Sequence, residues 1–246
     1  CLRGYTTPET ARDFLYIRTE QLADTNLLAD IVPAVNRIAE ALQRGEKITI
    51  YGDYDVDGVT AVSILYLYLR DHGADVSYYI PNRIGEGYGV SVSAVESLAA
   101  VGTKLIITVD TGITATEEVE RARELGVDFV ITDHHECRAE LPAAVAVVNP
   151  HRPDDTYPFK DLAGVGVIFK VMCALEHALT QDPMIDCVRR LLESYADLVA
   201  IGTIADVMPI CGENKIIVKL GLAMMENTER PGLIALFRAV SGTQDD

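Results

Sequence analysis

Short apolar runs alternate with longer helix-like stretches between residues 46 and 150. The apolar runs cover residues 47–51, 76–80, 104–109, 127–132 and 145–148. The helix-like stretches between them cover residues 59–72, 91–101 and 114–125. This alternation is typical of a parallel sheet covered by helices, and the uninterrupted apolar character of the runs indicates strands that are buried on both faces. The prediction is an α/β fold: a doubly wound, mainly parallel five-stranded sheet with helices on both faces.

Helix-like patterns also flank this predicted sheet. Residues 8–44 read as helical and close on Gly45. On the other side, beyond Asp161, the helix-like stretches are residues 165–179, 187–201, 215–225 and 233–240. We therefore expect helical N- and C-terminal additions to the core. Thr114 and Glu117 have the spacing of a capping box, which predicts that a helix begins at residue 114.

Acidic residues follow three of the predicted strands. They are Asp53, Asp55 and Asp57 after the first strand, Asp110 after the third, and Asp133 with His134 and His135 after the fourth. In open α/β sheets, active sites form beyond the carboxyl ends of the strands. Carboxylates together with one or two imidazoles are ligands that suit Mn²⁺ or Mg²⁺. Each cluster alone could be an ordinary turn, but the three together favour a divalent-metal site.

The charge of the chain bears on its partners. The formal net charge is −16, whereas phosphate binding uses Lys and Arg. A polynucleotide partner would therefore need a local basic groove or a further domain. The spacing of Asp53, Asp55 and Asp57 places three like charges on one face of an extended segment, and bound cations would remove their repulsion.

The remaining composition indicates a core-forming cytoplasmic protein. The chain has 246 residues, of which 49% are hydrophobic. It contains no run of about 18 apolar residues, so no membrane segment is expected. The five cysteines are scattered and odd in number, which fits free thiols in a reducing cytoplasm. Because the chain begins with Cys1 and ends in a polar, linker-like segment, we expect a domain of a longer protein.

Three motifs in residues 51–60, 109–112 and 133–135 resemble motifs one to three of the DHH phosphoesterase superfamily. Further stretches resemble the RecJ-type single-stranded DNA exonucleases of that superfamily. They are residues 80–83, 86–89, 148–150, 162–167 and 197–209. The resemblance implies a metal-dependent phosphodiesterase that shortens single-stranded DNA in the 5′ to 3′ direction. It would release 5′-mononucleotides in DNA repair and recombination, with single-stranded DNA and repair proteins as partners.

The resemblance also implies a two-lobed enzyme with a cleft between a DHH domain and a DHHA1 domain. On this basis residues 1–45 are predicted to be an N-terminal helical segment packed on the core, and residues 46–230 the DHH catalytic domain. Residues 231–246 would begin the connector to a C-terminal, DHHA1-like domain that this chain lacks. Tight DNA binding is expected to need that second domain.

The resemblance further implies two Mn²⁺ or Mg²⁺ ions and assigns roles around them. The candidate metal ligands are Asp53, Asp55, Asp57, Asp110, His134 and Asp206. Asp57 and Asp110 are predicted to bridge the two ions. His135 is predicted to contact the scissile phosphate or the leaving group, with the orientation of a metal ligand as its alternative role. Asp133 is expected to orient a histidine, and Asp206 could instead cap a helix end.

Substrate contacts are predicted at Arg83, Gly164 and Gly166. Arginine suits bidentate phosphate binding, and a helix N-terminus with small residues can hold a phosphate. A surface turn at Arg83 and simple close packing at the two glycines remain open. Asp197 is expected to form a cap or salt bridge. Two further functions stay as alternatives: a DHH enzyme acting on short oligonucleotides, cyclic dinucleotides or nucleotide phosphates, and a non-catalytic scaffold, which the complete set of acids disfavours.

Overall fold

The computed structural model describes residues 6–82 and 89–241. Within these ranges the strands are β1 (Ile48–Gly52), β2 (Val76–Tyr79), β3 (Leu105–Val109), β4 (Asp128–Thr132) and β5 (Ala146–Val148). The α-helices of the same ranges are α1 (Pro8–Leu15), α2 (Ile31–Arg44), α3 (Val56–Asp71), α4 (Val92–Ala100), α5 (Thr116–Glu124), α6 (Gly164–Thr180), α7 (Met184–Ala205), α8 (Gly212–Met225) and α9 (Pro231–Ser241). None of these helices is both long and apolar enough to cross a membrane.

The five strands form one parallel sheet in the order β2-β1-β3-β4-β5. Each predicted strand is present within one residue of its predicted bounds, so the predicted fold is confirmed. The register places Gly52 opposite Val109, Val109 opposite Thr132, and Thr132 opposite Val148. The carboxyl ends of β1, β3, β4 and β5 are therefore level. The residues that follow these four ends form one row along the edge of the sheet.

Apolar side chains cover both faces of the sheet, as the uninterrupted apolar runs predict. On one face Ile50 and Ile107 join a buried cluster with residues of α2, α3, α6 and α7. On the other face Ile106 and Ile131 join a second cluster with residues of α4 and α5. Alternate residues of one strand point to opposite faces. Because both faces are covered, β1 and β3 are buried along their whole length.

The start of α3 shapes the segment that carries the first three acids. Asp55 caps this helix, because its Oδ1 accepts a hydrogen bond from the Gly58 amide at 2.9 Å. A Cβ on Gly58 would lie 2.5 Å from the carbonyl oxygen of Asp53, so only glycine fits at this position. The tight turn directs the side chains of Asp53 and Asp57 towards the edge of the sheet, where both are buried.

The predicted capping box at Thr114 and Glu117 is wrong. Helix α5 begins at Thr116, and its N-cap residue is Ala115, which makes no side-chain capping bond. The preceding turn is held by a distant group instead, because the Ile113 amide donates to Asp133 Oδ2 at 2.9 Å. Gly112 has a φ of 105°, a backbone conformation that would be strained in a residue with a side chain. A tertiary contact therefore sets this helix start.

Candidate metal centre

The acids that follow β1 and β3 meet where the strand order reverses. In a sheet of order 2-1-3-4-5 the topological switch point lies between β1 and β3, and ligands bind in the crevice beyond it. The level strand ends place Asp53, Asp110 and Asp133 side by side in this row. Asp57 reaches the same place from the first turn of α3, and Asp206 from the C-terminal end of α7.

Three of the predicted metal ligands converge on an imidazole nitrogen of a fourth, His134. His134 Nε2 lies 3.1 Å from Asp110 Oδ1, 3.6 Å from Asp206 Oδ2 and 3.9 Å from Asp57 Oδ2. Asp53, Asp55 and Asp110 form a neighbouring group whose carboxylate oxygens lie within 4.8 Å of one another. Asp110 belongs to both groups. The structure therefore brings together all six predicted metal ligands, in two sets that share Asp110.

Two buried atoms at the centre of this cluster support its fit to a divalent cation. Asp110 Oδ1 and His134 Nε2 are buried 3.1 Å apart, but neither makes a hydrogen bond of good geometry within the described part of the chain. An unpartnered buried polar atom costs about 1–3 kcal/mol, so such atoms usually have a ligand or an ion as partner. Carboxylate oxygens with one imidazole are ligands that Mn²⁺ and Mg²⁺ accept. The residues present fit such an ion.

Burial makes four acids of the cluster, Asp53, Asp57, Asp110 and Asp206, more difficult to ionise. The pKa of Asp110 is raised by burial and further by the charges of Asp57 and Asp55. Burial also raises the pKa of Asp57, although amide hydrogen bonds and the charge of His134 oppose that shift. The pKa values of Asp53 and Asp206 are raised by burial as well. A bound cation would favour the ionised forms, because it supplies the opposite charge that the cluster lacks.

Helix α6 holds Asp57 from its N-terminal end. The Gly164 amide donates to Asp57 Oδ2 at 2.6 Å, and the Val165 amide donates to Oδ1 at 2.9 Å. The positive end of the helix dipole adds to these bonds. A Cβ on Gly164 would lie 2.5 Å from both Cβ and Oδ1 of Asp110, so the helix contacts both acids directly.

The two predicted phosphate-binding glycines do not share one environment. The Gly164 amide is occupied by Asp57, whereas the nearest atom to a Cβ on Gly166 would be Leu162 Cδ2 at 3.3 Å. This geometry favours the close-packing interpretation, and a substrate contact at Gly164 and Gly166 stays a prediction. Arg83, the third predicted substrate contact, lies outside the described residues.

Asp133 holds the second histidine. Its Oδ1 accepts hydrogen bonds from the amides of His134 and His135 at 2.8 and 3.1 Å, and contacts His135 Nδ1 at 2.7 Å. Burial acts to raise the pKa of Asp133, but the hydrogen bond and charge of His135 outweigh it and lower the pKa. The hydrogen bond to Asp133 raises the pKa of His135 to about 9. The charged form of His135 is therefore favoured at neutral pH in the absence of bound cations. Its side chain is 43% exposed.

The two histidines lie together beside Asp110. Neighbouring side chains of an extended chain would point in opposite directions. The two rings instead lie with their centroids 4.6 Å apart, and both come within 4.8 Å of Asp110 through ligand atoms. The reason is that β4 ends at Thr132, so the pair lies beyond the extended segment.

The acids of α7 have different surroundings. Asp206 is the C-cap residue of α7, and its side chain remains 27% exposed. Asp197 is buried and pairs with Arg230 Nε at 2.6 Å, so its predicted salt bridge is present. Gly202, which was not among the predicted site residues, packs against the cluster: a Cβ there would lie 2.4 Å from Thr60 Oγ1 and 2.8 Å from Asp57 Oδ1. Its position in an apolar helical stretch gave no local signal of this contact.

Comparisons with known proteins agree with this geometry. The model of the DHH family, N-terminal domain, matches residues 47–203. The single-stranded-DNA-specific exonuclease RecJ of Bacillus subtilis (strain 168) is 46% identical over 240 residues, covering 98% of this chain and 29% of that protein. The exonuclease of the same name from Escherichia coli (strain K12) is 38% identical over 219 residues, covering 87% of this chain and 38% of that protein.

Two solved structures are similar over most of the chain. A crystal structure of exonuclease RecJ bound to manganese has a TM-score of 0.77 at 39% identity, covering 87% of this chain and 52% of that one. A crystal structure of RecJ from Thermus thermophilus in complex with Mn²⁺ has a TM-score of 0.76 at 35% identity, covering 93% of this chain and 31% of that one. This chain thus spans about a third of the length of its curated relatives.

The family match covers more than half of the chain, including the ends of β1, β3 and β4 and the acids that follow them. The chain belongs to the DHH family.

Proposed function

We propose that this chain is the catalytic part of a metal-dependent phosphodiesterase that degrades single-stranded DNA from its 5′ end and releases 5′-mononucleotides. The observation that carries the proposal is the buried cluster in which Asp57, Asp110 and Asp206 converge on His134 Nε2, and in which Asp110 Oδ1 and His134 Nε2 make no hydrogen bond of good geometry. Similarity to RecJ exonucleases over most of the chain supports the substrate class.

The proposed metal ligands are the six residues that the fold brings together. They are Asp53, Asp55, Asp57, Asp110, His134 and Asp206. When bound there, two divalent cations would stabilise charge on the reacting phosphate and promote ionisation of a water molecule. Asp57 and Asp110 are the two acids that would serve both ions. The N-terminal end of α6 fixes the orientation of the Asp57 carboxylate before any ion binds, because both carboxylate oxygens accept hydrogen bonds from backbone amides of the helix.

His135 is proposed to contact the scissile phosphate. In the absence of bound cations the hydrogen bond to Asp133 raises the pKa of its ring to about 9, which favours the charged form at neutral pH. It is also more exposed than His134, so a substrate can reach it from solvent. A charged imidazole can donate a hydrogen bond to a phosphate oxygen and stabilise the charge that develops there. Asp133 keeps that ring both charged and oriented.

The remaining proposals concern the longer protein. A net charge of −16 disfavours tight binding of DNA by this chain alone. We therefore propose that residues 46–230 form the catalytic domain behind a helical segment in residues 1–45, and that residues 231–246 lead to a further domain that supplies DNA affinity. Action in the cytoplasm, in DNA repair and recombination with repair proteins as partners, completes this proposal. The four described cysteines are free thiols, which supports a reducing compartment.

A 5′-labelled single-stranded oligonucleotide with Mn²⁺ tests the proposal. The expected result is release of labelled mononucleotide by the wild-type chain and by Asp197→Asn, and loss of release in Asp110→Asn. Asp197 is the matched control because it is a buried acid paired with Arg230. Cleavage of di- or trinucleotides alone would favour the short-oligonucleotide class. Absence of hydrolysis in a folded chain that binds Mn²⁺, even at oligonucleotide concentrations that saturate weak binding, would contradict catalysis by this part of the protein.

A further inference from the structure

Asn149 occupies the last place in the row of residues that follow the level strand ends. It comes directly after β5, as Asp53, Asp110 and Asp133 come directly after β1, β3 and β4. Its side chain is fully buried. The amide donates from Nδ2 to the carbonyl oxygen of His135 at 2.9 Å, and its Oδ1 accepts a bond from the His151 amide at 2.8 Å. The donor and acceptor of one planar group are thus both used.

Pro150, which follows Asn149, explains why a side chain and not the backbone donates this hydrogen bond. The backbone pairing of β4 with β5 ends where the Asp133 amide donates to the carbonyl oxygen of Val148 at 3.1 Å. Pro150 has no N–H group, so it cannot donate to the chain beyond that point. The Asn149 side chain supplies the donor instead and extends the pairing to His135. Asp cannot replace it, because an ionised carboxylate has no donor.

His135 is consequently held from two directions. Asp133 fixes its amide and its ring nitrogen Nδ1, and Asn149 fixes its carbonyl oxygen. A third group anchors the strand behind Asn149, because Arg152 donates both to the carbonyl oxygen of Val147 and to Asp30, each at 2.6 Å. This arrangement leaves the His135 ring little freedom to leave the edge of the acid cluster.

We propose that Asn149 is a positioning residue that fixes the backbone of His135 so that its imidazole meets the substrate phosphate. The proposal rests on the proposed function of His135. The side-chain hydrogen bonds of Asn149 go to the backbone of His135 and His151. We expect it to act on the substrate only through His135. Its loss should therefore lower kcat, with little effect on KM or on Mn²⁺ affinity. Loss of an orienting group behind a site residue typically reduces activity about 10- to 100-fold.

The test compares Asn149→Asp with Asn214→Asp. Asn214 is a matched control, because it is also buried and its Nδ2 also donates to backbone carbonyl groups, those of Asp161 and Pro209. The first measurement is kcat and KM on a single-stranded oligonucleotide with Mn²⁺, together with the Mn²⁺ dissociation constant. We expect kcat to fall about 10- to 100-fold in Asn149→Asp only, with KM and the dissociation constant within about threefold of wild type.

The second measurement does not depend on activity. In the Mg²⁺-loaded chain with ¹⁵N-labelled histidine, the Nδ1–H proton of His135 should resonate far downfield, because it is bonded to Asp133. The signal is assigned by its loss in His135→Gln. It should shift or broaden in Asn149→Asp and stay in place in Asn214→Asp. Asn149→Ser, which keeps a shorter donor, replaces Asn149→Asp if the latter does not fold.

An unshifted Nδ1–H signal in the folded Asn149 variant would overturn the proposal, and so would an equal loss of kcat in the Asn214 control. If the wild-type chain hydrolyses no substrate, the proposed function fails, but the resonance still decides whether Asn149 holds His135.

Discussion

Replacing Gly164 with alanine should push α6 away from the acid cluster. The new Cβ would lie 2.5 Å from Asp110 Cβ and 2.5 Å from Asp110 Oδ1, whereas ordinary contact begins at 3.4 Å. Rotation of the carboxylate cannot relieve this clash, because the Cβ of Asp110 is itself too close. The N-terminal end of α6 must therefore move by roughly 1 Å. This movement disrupts the hydrogen bonds that the Gly164 and Val165 amides donate to Asp57.

The size of the effect follows from three contributions. Overpacking a close contact costs about 1–3 kcal/mol. Losing hydrogen bonds to a charged group costs a further 1.5–3 kcal/mol or so. Alanine is favoured over glycine in a helix by up to about 1 kcal/mol, which offsets part of this loss. We expect the free energy of unfolding to fall by about 2–5 kcal/mol, equivalent to a Tm decrease of ~5–15 °C for a chain of this size.

Urea denaturation of Gly164→Ala, with Gly166→Ala as the matched control, measures this effect. Gly166 lies in the first turn of the same helix, but the nearest contact of its Cβ would be the end of the flexible Leu162 side chain at 3.3 Å. The control should therefore unfold within about 1 kcal/mol of wild type. In the absence of urea, Mn²⁺ affinity should fall about tenfold in Gly164→Ala only, because Asp57 loses its orientation.

Equal stability of the two glycine variants would refute this reasoning. It would mean that α6 does not lie against Asp110, and the explanation for the orientation of Asp57 would fail with it.

Three further predictions concern charges. Asp110→Asn should stabilise the metal-free chain at pH 7 by at least ~1 kcal/mol, the free energy of one pKa unit, because a carboxyl with a raised pKa resists ionisation. Thermal unfolding in EDTA measures this stabilisation. Adding Mn²⁺ should then raise the Tm of the wild type more than that of the variant. The contribution of the His135–Asp133 ion pair to the free energy of unfolding should be fully present below about pH 6.5 and should be lost as the pH rises through about 9, since the pKa of His135 is higher in the folded state than in the unfolded state. The urea midpoint of the wild type should therefore decline over that pH range, and that of His135→Gln should decline less. Arg230→Met should lower stability by about 3–5 kcal/mol because it leaves Asp197 buried and unpaired, and adding Asp197→Asn should recover part of that loss; no recovery would contradict the pairing.

The sheet and most of the cluster could be predicted because local patterns carry them. Strands buried on both faces appear as short apolar runs, so the bounds of β1 to β5 could be predicted within one residue. Parallel strands also bring their carboxyl ends to one edge. The acids that follow β1, β3 and β4 could therefore be placed together without knowledge of any distance.

Other features depend on contacts between residues far apart in the chain. The start of α5 differs from the capping-box prediction because Asp133 holds the turn before it. The contact of Gly202 with Thr60 and Asp57 joins two helices through an apolar stretch that has no distinctive pattern. The hydrogen bonds from the backbone amides of α6 to Asp57 join residues more than 100 positions apart. Sequence patterns describe neighbours along the chain, so they cannot identify such partners.

The wide spacing of the cluster residues along the chain has a consequence during synthesis. Asp53 and Asp206 are about 150 positions apart. At a translation rate of about 5–20 residues per second, the ribosome needs roughly 8–30 s to pass from one to the other. During that interval a nascent chain carries Asp53, Asp55 and Asp57 without the acid at the end of α7. A chain that is still being translated therefore cannot assemble the complete set of proposed metal ligands until α7 has been synthesised.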